Sequence, residues 1–106
     1  MRISPNRWQI IQRILREYPD TKKELNDLRE ESLYSVRLNR EVKAIEEALS
    51  LFTEAEKKVI SERFWTYPDK NKSYEQMWEL GYSARQMRRI AYKMIYQTGK
   101  RLGEIE

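Results

Sequence analysis

Glycine and proline, the residues that most readily interrupt a regular backbone, number only three each in these 106 residues, and they stand where apolar stripes begin or end. The segments between them are left free to be helical. Ser4-Pro5 is a cap followed by proline at the first helical position, where its missing N–H is no loss. Trp8, Ile11, Leu15 and Tyr18 then recur at three- and four-residue spacing, which makes one apolar face of a helix. Pro19 is expected to end that helix, because the residue before a proline avoids the α region.

Asp20 or Thr21 can cap a second helix running to about residue 31, with Leu25 and Leu28 inward. The stretch 32–37 reads as a break or as a continuation, so 21–52 holds either one helix or two. Leu38, Val42, Ile45, Leu49 and Phe52 form a further stripe. Thr53-Glu54-Ala55-Glu56 is a capping box: the Thr53 hydroxyl accepts from the Glu56 amide, and the Glu56 carboxylate reaches back to the Thr53 amide. The next helix should bury Val59, Ile60, Phe64 and Trp65, and 66–72, with Pro68, Asp69 and Asn71, is rich in turn formers. Read as core, these stripes predict an all-α fold: a helical extension over 1–50, then a second unit over 51–106.

The second unit carries a recognisable order of signals. Ser73 caps a short helix over 74–80, and Gly81 follows its last apolar residue, where a left-handed conformation is wanted. Tyr82 fills the turn. Ser83-Ala84-Arg85-Gln86 is another capping box, opening a helix over about 83–98 with Met87, Ile90, Ala91, Met94 and Ile95 inward. Short helix, glycine, tight turn and capped second helix make a helix-turn-helix. Leu80, Tyr82, Met87 and Ile90 would plug the angle between its helices, although Met77 stands where the helices touch and a small residue is usual.

That arrangement leaves Ala84, Arg85, Arg88, Arg89 and Tyr92 on the outer face, with Lys93 and Tyr96 towards its far end. Arginine forks match guanine edges and phosphates. Free amides behind the Ser83 cap also favour a phosphate.

Charge distribution points the same way. Over 20–56 acids outnumber bases ten to six, whereas 83–101 holds six bases and no acid. A helix-length segment of one sign suggests an anionic partner. The competing structural account has these arginines pairing with the acidic middle segment, within or between chains.

The chain contains neither cysteine nor histidine, which excludes thiol chemistry, disulfides, Cys/His zinc sites and imidazole catalysis. Glu30-Glu31, Glu46-Glu47 and Glu54/Glu56 are carboxylate pairs, but adjacent helical residues diverge and the last pair serves a helix start. With no phosphate loop and no nucleophile–base pair, no enzyme and no cofactor are expected. No apolar run approaches the roughly 20 residues that span a bilayer, so a soluble intracellular protein is expected.

The stretches LFTEAEKKVISERFW (51–65), SYEQMWELGYS (73–83) and RQMRRI (85–90) resemble the phage late-gene transcriptional activators of the RinA and ArpU type and, more broadly, region 4 of sigma-70-type factors. LREYPDTKKEL (15–25) is also similar to their N-terminal part. The resemblance implies a sigma-70 region 4-like helix-turn-helix. It also implies a sequence-specific activator of phage or prophage late genes, working on double-stranded DNA in the cytoplasm of a bacterial host. Carried over by position, Arg85, Arg88, Arg89 and Tyr92 match exposed sites of the reading helix, and Ser73 and Ser83 match cap sites near phosphate.

Two other functions fit the same residues. A DNA-packaging adaptor of the small terminase type also joins a helix-turn-helix to an oligomerising segment, and the middle helices can self-associate in either case. A module that docks on RNA polymerase, without binding DNA itself, is the other.

Overall fold

The structure, a computed structural model, describes residues 4–28, 32–65 and 80–103. Among these residues there are five helices and no strand: α1 (Pro5–Arg16), α2 (Tyr18–Asp27), α3 (Leu33–Leu49), α4 (Glu54–Phe64) and α5 (Ala84–Arg101). The all-α expectation therefore stands. No helix of the described residues is long and apolar enough to cross a membrane.

Local chemistry accounts for the helix starts. Ser4 caps α1 through a 3.3 Å bond accepted from the Arg7 amide, with Pro5 behind it. Both expected capping boxes form. Thr53 Oγ1 accepts from the Glu56 amide at 3.2 Å while Glu56 Oε1 accepts from the Thr53 amide at 2.9 Å. Ser83 and Gln86 repeat the exchange at 3.1 and 2.9 Å. A third box, Ser32 with Ser35, settles 32–37: α3 starts there, so 21–52 holds parts of two helices.

The region around Pro19 differs from expectation. α1 stops at Arg16, a single residue intervenes, and α2 begins at Tyr18, so Pro19 lies in the first turn of α2. Neither Asp20 nor Thr21 caps it; Glu17 occupies the cap position, with no side-chain bond. The first turn tolerates proline because its amide has no helical partner there.

The missing N–H of Pro19 also frees the carbonyl four residues back, Leu15. That oxygen accepts the Trp65 indole N–H at 2.7 Å, which ties the α1–α2 corner to the end of α4. The Tyr18 and Trp65 rings pack alongside at 5.0 Å. α2 ends at Asp27, short of the expected 31, and Leu28 is extended and exposed rather than inward; Leu25 is half-buried.

One apolar cluster draws Ile11 and Leu15 from α1, Ile45 and Ala48 from α3, Val59, Ile60 and Phe64 from α4, and Met87, Ile90 and Met94 from α5. The segment 1–50 thus supplies core to the same cluster as 51–106. α5 lies at the centre, against α1, α3 and α4, while α2 packs on α3 and α1. Tyr18 and Lys22 of α2 both bond Glu46 of α3, at 2.8 and 3.1 Å. Those bonds hold the Glu46 carboxyl below its ordinary value. Burial and the bond to Glu46 hold the Tyr18 phenol above its own.

α5 outruns its expected end at 98. Gly99 is buried within the helix, which closes at Gly103 in the left-handed region (φ 77°). The Arg40 guanidinium donates to the Leu102 carbonyl, placing a cation at the negative end of the α5 dipole.

Candidate nucleic-acid interface

The outer face of α5 is built by its inner one. Met87 and Met94 are fully buried, Ile90, Ala91 and Ile95 nearly so, and together they fix the helix rotationally. With 3.6 residues per turn, the residues one and two positions away must then face outward. Arg85, Arg88, Arg89, Tyr92 and Lys93 are all exposed. Ala84, expected among them, is half-buried, as is Tyr96, which packs against the core.

The guanidiniums of Arg85 and Arg89 make no hydrogen bond or ion pair with any described residue. At the other end of α5 an arginine does approach the acidic middle segment: Arg101 Nε lies 4.0 Å from Glu47. Lys93 holds its ammonium 5.4 Å over the Phe52 ring, at the turn between α3 and α4.

Behind the Ser83 cap, the amides of Ala84 and Arg85 open the helix with its positive end outward. Gly81 adopts φ 82°, the left-handed conformation expected of the turn glycine, with Leu80 and Tyr82 half-buried on either side. A side chain at Gly81 would meet no atom within 4 Å, so the backbone conformation rather than space selects glycine. Ser73, Met77 and most of the short helix expected over 74–80 lie outside the described residues, as does the expected loop 66–72.

The structure adds a neighbour that periodicity does not reveal. Trp8 of α1, read as core, is half-buried and packs on Tyr92 with ring centroids 4.6 Å apart at 37°. Gln12 of α1, Arg63 of α4 and Arg88 face the same cleft of about 240 Å3, with Phe64 at its base. α1 therefore runs along one flank of α5. The signal that could have found it was Trp8 itself, an aromatic one turn from the helix start with room to reach beyond the core.

Among the described residues no cluster of acidic side chains fits a metal ion. Comparison of the chain with protein families, curated proteins and solved structures gives no match.

Proposed function

We propose that this chain binds double-stranded DNA through the outer face of α5, as a sequence-specific transcriptional regulator of the phage late-activator type that its sequence resembles. The observation that carries the reading is Arg85 and Arg89: two exposed guanidiniums without a described partner, one helical turn apart, on an 18-residue helix without acids. An α-helix is about 10–12 Å across with side chains, and the major groove about 12 Å wide, so such a face enters the groove and presents forks to base edges. Cationic side chains add affinity by releasing counterions from phosphates.

The test is fluorescence anisotropy of a labelled mixed-sequence duplex across a salt series, with circular dichroism as the folding control. Arg88→Ala with Arg89→Ala should weaken binding at least tenfold and leave the helical signal intact. Affinity equal to that of the parent, or binding indifferent to salt, would point to a polymerase-docking module.

A packaging adaptor is favoured by one feature, the apolar pair Leu33 and Val36 on the outside of α3, 92% and 52% exposed. Light scattering separates the two: a large closed ring supports packaging, a monomer or dimer supports regulation.

A further inference from the structure

We infer that Trp8 is a positioning residue for DNA recognition: it holds the Tyr92 ring on the base-facing stripe of α5, where that ring packs on the methyl group of a thymine. The inference rests on the DNA-binding reading of α5 and names a base that the helix recognises.

The first support is angular. At 100° per residue, Tyr92 lies about 40° round the axis from the midpoint of Arg85 and Arg89, and all three fall within an arc of about 60°. The seven residues from Arg85 to Tyr92 add a rise of about 10.5 Å, roughly three base pairs of duplex. A helix that sets its arginine forks against base edges therefore presents Tyr92 to the same groove, further along. Tyr92 is 52% exposed, and its hydroxyl makes no hydrogen bond with any described residue.

The second support is the contact from α1. An exposed tyrosine samples several rotamers, and fixing one of them on binding costs affinity. Here the Trp8 ring lies 4.6 Å from the Tyr92 ring at 37°, within the range of paired aromatic rings. Trp8 is itself anchored: it is half-buried, packs against the core cluster and stands three residues before the fully buried Ile11. The Tyr92 ring is thus placed before DNA arrives. What an aromatic ring meets in the major groove is the C5-methyl of thymine, the apolar group that base pairs present there.

The experiment uses the full chain and the duplex that it selects most strongly from a random pool, synthesised once with thymine and once with deoxyuridine, which lacks only that methyl. Fluorescence anisotropy should show the thymine form bound about fourfold more tightly for each methyl covered. Tyr92→Ala should bring the two affinities together. Trp8→Leu should move their ratio towards one with the helical circular-dichroism signal intact, and Trp8→Phe should give an intermediate ratio. A Trp8 that served only the core would weaken binding to both forms equally and leave the ratio as it was. That outcome, a preference that survives Tyr92→Ala, or a parent that binds both forms alike overturns the inference while DNA binding stands. A parent that binds no duplex overturns both, and Trp8→Phe carries the test should Trp8→Leu fail to fold.

Discussion

In the first half of α5, Arg85 and Arg89 project without a described partner. In the second half, Arg101 donates to the carbonyl and side-chain oxygens of Gln97, at 3.1 and 2.7 Å, and approaches Glu47. In sequence the two halves look alike, each basic and free of acid. In space the first half keeps an exposed outer face beside the flank taken by α1, while the other half has Thr98 and Gly99 buried and Arg40 of α3 bonded to the carbonyl just past its last turn. Charge of one sign therefore does not by itself mark a surface for a partner. What marks it is charge that the fold leaves unanswered.

The contrast can be attacked from the structural side first. Met94→Ala, at a fully buried position where the halves meet, should cost about 2–5 kcal/mol of folding stability, because it removes a large side chain from the core cluster to which four helices contribute. Urea denaturation measures it, and a loss below about 1 kcal/mol would mean that the centre of α5 packs loosely. Arg40→Met keeps the aliphatic stem but removes the donor to Leu102, and should cost about 1 kcal/mol while leaving duplex affinity unchanged. An altered affinity there would extend the functional surface into the half assigned to structure.

The smallest effect sharpens the comparison most. Thr98 is fully buried and its hydroxyl finds no partner among the described residues. Thr98→Val removes an unanswered polar atom at nearly constant shape, so thermal unfolding should hold or rise, by at most about 1 kcal/mol. A clear fall would show that the hydroxyl is bonded.

How much was legible in the sequence depends on how local the deciding interaction is. Capping boxes need only four consecutive residues, and both that were named, at Thr53 and Ser83, form with their expected partners. The inner face of α5 followed from spacing alone and was found in full from Met87 to Ile95. Helix ends were less readable. Ser32 with Ser35 caps α3 by two serines, a pairing weaker as a pattern than serine with glutamate or glutamine. The last helix, expected to about 98, runs through a buried Gly99 to Arg101.

Within the candidate site, the arginines were legible because an exposed face is the complement of a buried one. Their companions were not. Trp8, Gln12 and Arg63 reach the flank of α5 only through the docking of α1 and α4, contacts made across more than twenty residues of sequence, which no local pattern encodes.

An amide hydrogen that proline lacks sets the extent of the smallest viable piece of this molecule. Because Leu15 has no helical donor to take, its oxygen is spoken for by an indole at the far end of α4. A fragment starting after residue 19 would keep Arg85, Arg88 and Arg89. It would also wet the stripe of Phe64, Ala91 and Ile95 and strand the Trp65 N–H without an acceptor. Trimming the chain to its basic half would therefore undo the scaffold that aims it.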